Sequence, residues 1–187
     1  MASSKTIWLK NPLAVFSEQL CPGGIVVKGS IIIELLNINQ QPSVPVDCIF
    51  DATKYVITPG LINIHHHFYQ NLTRAFPSAL DKPLFPWLKS LYPVWAKLQP
   101  DNIIYSSRLA LAELLLSGCT TAADHHYLFP KGLESTVDLQ VDAANKLGMR
   151  MTVTRGSMCL GEEQGGLPPQ STIQTEDAII EIGRAHV

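Results

Sequence analysis

Two helix–glycine–strand units follow one another in this chain, and they constrain its fold more than any other feature. Residues 100–117 carry Ile103, Ser107, Leu111, Leu114 and Leu115 at helical spacing, with Pro100 suited to a first helical position. Gly118 fits the left-handed position that closes a helix, and residues 119–124 read as a strand running into His125 and His126. Residues 135–147 read as a second helix, closed by Gly148 and followed by a strand at 149–155. Helix and strand alternating in this way predict an α/β fold with a parallel sheet. An apolar run, residues 56–64, precedes both units and reads as a further, buried strand that ends in His65-His66-His67.

Polar residues gather at the ends of all three strands: His65 and His67, then Asp124 and His126, then Arg155 and Ser157. The C-terminal ends of parallel strands are where barrels and doubly wound sheets place their chemistry. Successive side chains on a strand point to opposite faces, so His65 and His67 project together and His66 points away. Two imidazoles on one face suit a single metal ion. The alternative, three unrelated surface histidines, lacks this strand context.

Elsewhere the signals are weaker. Residues 5–57 read as short strands and turns, with a hairpin around Lys28-Gly29-Ser30 and a loop at 40–45. This is a small β domain or a β extension of the main one. Residues 83–91 and 94–98 read as short helical pieces broken at Pro93. The chain has 187 residues, 46% of them hydrophobic, enough for one ordinary core. The net charge is −2 with no basic block, which argues against nucleic acid as a partner. No stretch reaches the roughly 20 apolar residues of a membrane span, and the N-terminus lacks a signal-peptide core. The four cysteines are scattered, without a disulfide framework. A cytoplasmic location is expected.

Residues 58–67, Thr58-Pro59-Gly60-Leu61-Ile62-Asn63-Ile64-His65-His66-His67, resemble the first-strand motif of the amidohydrolase superfamily. Asn63 before His-x-His is similar to the one-metal deaminase and chlorohydrolase branch. Residues 68–75, 85–88 and 124–130 resemble the 8-oxoguanine deaminases most, with the hydroxyatrazine-type aminohydrolases close by; residues 154–158 and 165–169 fit the same group. The resemblance covers residues 5–181. It implies a partial (β/α)8 TIM barrel (the first three or so β/α units) over residues 58–181, preceded at 1–57 by part of a small β-sandwich. It implies one divalent metal, zinc or iron with zinc favoured, held in part by His65 and His67. It implies a small heteroaromatic substrate deaminated by hydrolysis, and a full-length protein able to form homo-oligomers.

The superfamily's remaining ligands and its general acid lie on later strands, past Val187, so no residue here is assigned a catalytic role. Residues 182–187 can be encoded by a common sequencing adapter and are expected to be an artefactual tail on a truncated reading frame. Gln70, His126 and Trp87 are the substrate-binding candidates. The Gln70 amide both donates and accepts, which suits a purine or triazine edge, and it would serve equally as a loop cap. Trp87 could stack on a ring, although core packing is the commoner role. His126 could touch substrate or neighbouring groups, and Asp124 could do no more than orient a neighbour. The competing reading is a non-catalytic metal-binding fragment. An incomplete barrel is expected to be poorly soluble, because it exposes a strand edge and an apolar face.

Overall fold

The structure is a computed structural model. It describes residues 5–184, the last four by their backbone alone. The chain divides into two compact units, residues 1–59 and 60–187.

The first unit contains a four-stranded mixed sheet. Strand β1 (Thr6–Lys10) pairs antiparallel with β3 (Gly24–Lys28) and parallel with β5 (Cys48–Asp51), and β4 (Ile31–Leu36) pairs antiparallel with β3. The β3–β4 hairpin turns at Gly29, whose φ of +59° suits glycine. A second, two-residue pairing joins β2 (Ala14–Val15) to β6 (Val56–Ile57). Trp8, Val26 and Leu36 form the unit's buried core. The Trp8 indole N–H is satisfied by the Gly23 carbonyl at 3.0 Å. Ile31, Ile32, Ile49 and Phe50 remain exposed.

The second unit is a three-stranded parallel sheet in the order β7 (Leu61–His66), β8 (Cys119–His126), β9 (Arg150–Arg155). Helices α1 (Leu84–Trp95) and α2 (Pro100–Leu116) lie between β7 and β8 in sequence, and α3 (Thr136–Leu147) lies between β8 and β9. Helix α4 (Glu176–Arg184) follows, so residues 182–184 of the expected tail continue a helix and the rest of that tail lies outside the described residues. Gly118 and Gly148 adopt φ of +86° and +71°, the left-handed geometry that ends α2 and α3. One buried cluster joins α2, α3 and the sheet through Phe68, Leu111, Ala122, Ala143 and Met149.

Two local expectations are corrected. The run at 56–64 is not one buried strand. It breaks between β6 and β7, and Gly60 sits against the Thr120 side chain, where a Cβ would collide. Leu61, Ile62 and Ile64 are 60%, 67% and 76% exposed, because β7 is an edge strand with β8 as its sole neighbour in the sheet described. Pro93 does not break a helix either. It falls in the last turn of α1, where it leaves the Lys89 carbonyl without its i→i−4 donor, and burial of Leu91, Tyr92 and Trp95 holds the helix in place.

Trp95 anchors the second apolar cluster. It is fully buried, meets Tyr69, Trp87 and Tyr92 at centroid distances of 5.2, 5.4 and 5.6 Å, and donates its N–H to Thr73 Oγ1 at 3.0 Å. Trp95→Ala is expected to cost about 3–5 kcal/mol, read as a shift of the urea unfolding midpoint. A shift no larger than that of an exposed Leu116→Ala control would contradict this packing role. No helix among the described residues is long and apolar enough to cross a membrane.

Candidate metal site

The end of β7 is irregular. Asn63 lies opposite Ala122 and His66 opposite Asp124, so three steps along β7 match two along β8. This is a β-bulge, a device that re-aims side chains near sites. His67 then leaves the strand with φ −133° and ψ 85°, ahead of a 3-10 turn at Phe68–Thr73. The His65 and His67 rings lie 5.0 Å apart, edge to face. The His66 ring instead packs on Phe68 at 5.0 Å, toward the helix-covered side.

The His67 ring is held in one tautomer. Its Nδ1 lies 2.6 Å from the His125 carbonyl oxygen, and since a carbonyl only accepts, Nδ1 carries the proton. The Nε2 lone pair is therefore free, the arrangement usual for metal-binding histidines. Burial also lowers the pKa of His67, which favours the neutral ring. His65 is exposed, and its ring stacks on His125 at 4.7 Å with 27° between planes. The pair fits two positions of a zinc site. Among the described residues no group of three His, Cys, Asp or Glu side chains is placed to hold a metal.

The other candidates lie as follows. Gln70 is half-buried in the turn after His67, its Nε2 3.4 Å from the Tyr69 hydroxyl. Trp87 is half-buried at the edge of the Trp95 cluster. His126 is fully buried on the opposite face of β8 from His125, and it offers no surface to a substrate. Its Nε2–H donates to the Leu128 carbonyl at 2.7 Å, and burial pushes its pKa down to about 4.

Asp124 shares that buried face. Its Oδ1 accepts the Phe68 N–H at 2.7 Å and its Oδ2 accepts the Gln140 amide at 2.6 Å, with the same amide 3.4 Å from His126 Nδ1. Burial raises Asp124 to about 6, outweighing the two hydrogen bonds, which act downward. Asp124 thus pins the backbone immediately after His67. Sequence reasoning gave no role to His125. The signal available was alternation along β8: if Asp124 and His126 face inward to the helices, His125 must face the other way.

The sequence profile of the amidohydrolase family matches residues 56–183. The chain belongs to the amidohydrolase family. It is 56% identical over 175 residues to the 8-oxoguanine deaminase of Pseudomonas aeruginosa, covering 92% of this chain and 39% of that protein. It is 37% identical over 150 residues to the hydroxydechloroatrazine ethylaminohydrolase of Pseudomonas sp. (strain ADP), covering 78% of this chain and 30% of that one. Among solved structures it resembles the atrazine chlorohydrolase TrzN from Arthrobacter aurescens TC1 complexed with zinc, with a TM-score of 0.77 and 29% identity, covering 94% of this chain and 41% of that one. This amidohydrolase chain therefore spans about two fifths or less of the length of these relatives. Its α/β fold matches that of the chlorohydrolase.

Proposed function

We propose that this chain is part of a metal-dependent hydrolytic deaminase that releases ammonia from an oxo-purine such as 8-oxoguanine. The observation that carries this is the 56% identity to an 8-oxoguanine deaminase across 92% of the chain. The geometry at the end of β7 supports it. In this reading residues 58–181 form the first three or so β/α units of a barrel, and residues 1–57 form part of a β-sandwich.

A divalent metal, zinc in preference to iron, would supply activation of water at neutral pH. His65 and His67 would hold it, His67 through Nε2. The bond from His67 Nδ1 to the His125 carbonyl keeps that tautomer and orientation. Asp124 fixes the turn that carries Gln70, through the Phe68 N–H. Gln70 would read the ring edge with its amide, since a purine edge alternates donors and acceptors. Trp87 and His126 would act from behind this surface, by packing.

Ammonia release should be measured on protein of natural length with added zinc, against guanine, 8-oxoguanine, isocytosine, cytosine and hydroxy-triazines. The expected result is fastest turnover of 8-oxoguanine. A second reading, a hydroxy-triazine aminohydrolase, draws on the 37% identity to the ethylaminohydrolase and would be favoured by turnover of triazines alone. Hydrolysis of a cyclic amide, with no amino-substituted ring reacting, would overturn both.

A further inference from the structure

Three imidazoles crowd the open end of the sheet, and they are not equivalent. His125 lies 4.7 Å from His65 and 6.2 Å from His67 between ring centroids, close enough to suggest a third metal ligand. Its hydrogen bonds argue otherwise. His125 Nε2 is 3.1 Å from the Ile64 carbonyl oxygen, so Nε2 carries the proton and donates it. The neutral ring then has one lone pair, on Nδ1, and the Thr154 hydroxyl occupies it at 3.0 Å. No lone pair remains for a metal.

We propose that His125 is a positioning residue for the His65–His67 pair and not a ligand, an inference that rests on the metal-binding reading above. Three separate contacts do the positioning. The backbone carbonyl of His125 fixes the tautomer of His67. The flat ring of His125 stacks on His65, whose own ring makes no hydrogen bond among the described residues. The Nε2–H of His125 binds the carbonyl of Ile64, which lies within the bulge and outside the paired register of β7 and β8. The bulge would otherwise leave that carbonyl without a ladder partner and His65 free to turn. Thr154, directly opposite His125 on β9, completes the bracing. One imidazole on the central strand thereby ties β7, β8 and β9 together where the ligands leave the sheet.

The test uses metal-free protein of natural length, titrated with cobalt(II). Stoichiometry, affinity and ligand-field absorption are read for the unaltered protein and for His125→Gln, Thr154→Val, His65→Ala and His67→Ala. His125→Gln removes the flat ring and its tautomer-specific bonds. Thr154→Val keeps the strand and the ring and removes only the hydroxyl, so it carries the test if His125→Gln fails to fold. The expected result is one cobalt per chain and an unchanged absorption spectrum in both outer variants, with affinity lowered about 10- to 100-fold. His65→Ala and His67→Ala should change the spectrum itself. A spectrum for His125→Gln altered as in His65→Ala would make His125 a ligand and overturn the proposal. Unchanged affinity in both outer variants would also overturn it. If the unaltered protein takes up no cobalt, the metal-binding reading fails, and the proposal fails with it.

Discussion

His65→Ala and His67→Ala, each made in protein of natural length, are expected to lower ammonia release by on the order of a thousandfold or more. A bound metal would lower the pKa of water toward neutrality, and no side chain can replace that contribution. Each substitution removes one of the two free imidazoles that share the open face, 5.0 Å apart. His66→Ala should keep its metal. That ring packs on Phe68 on the other side of the strand, so its removal costs packing and leaves the two ligands in place. Metal content per chain and kcat/KM, measured on the same samples, check this. Equal metal loss in all three variants would contradict the assignment.

The second large effect concerns pH and the buried face of β8. Asp124 is raised to about 6 in the folded protein. The fold therefore favours its neutral form, and the associated stability is present below the unfolded value near 3.8 and is lost as pH rises through 6. His126 is lowered to about 4. Its stability is present above the unfolded value near 6.5 and is lost as pH falls through 4. Each effect is on the order of 3 kcal/mol. The windows overlap and the signs oppose, so the two groups largely cancel between about pH 4 and 6. Single substitutions should expose each one. Asp124→Asn leaves His126 alone, and relative to the unaltered protein its stability should fall as pH falls. His126→Gln leaves Asp124 alone, and its stability should fall as pH rises. Urea unfolding of metal-free protein at several pH values checks this, and parallel pH profiles for the two variants would contradict it.

What the sequence revealed and what it hid have physical causes. Pro100, Gly118 and Gly148 are local signals, and the helices end where those residues require. The parallel order of β7, β8 and β9 follows from the alternation of helices and strands. Pro93 misleads because its local cost is offset by burial of Leu91, Tyr92 and Trp95, which involves distant partners. The choice between His125 and His126 was hidden for the same reason. The string Asp124-His125-His126 looks alike from both faces, and the residue that decides, Gln140, is sixteen positions from Asp124. The bulge between Asn63 and His66 has no sequence mark either, since it depends on the register with β8.

In the proposed site His65 and His67 hold one metal ion while His66 and His125 do not. Anomalous diffraction at the zinc edge, from crystals of zinc-loaded protein of natural length, tests this most directly. One peak is expected, bonded to a ring nitrogen of His65 and to His67 Nε2, each at about 2.0–2.1 Å. The His67 Nδ1–H should still point to the His125 carbonyl, and the His125 ring should still bridge Ile64 and Thr154. A peak bonded to His66 or His125, or a zinc ion that touches only one of His65 and His67, would contradict it.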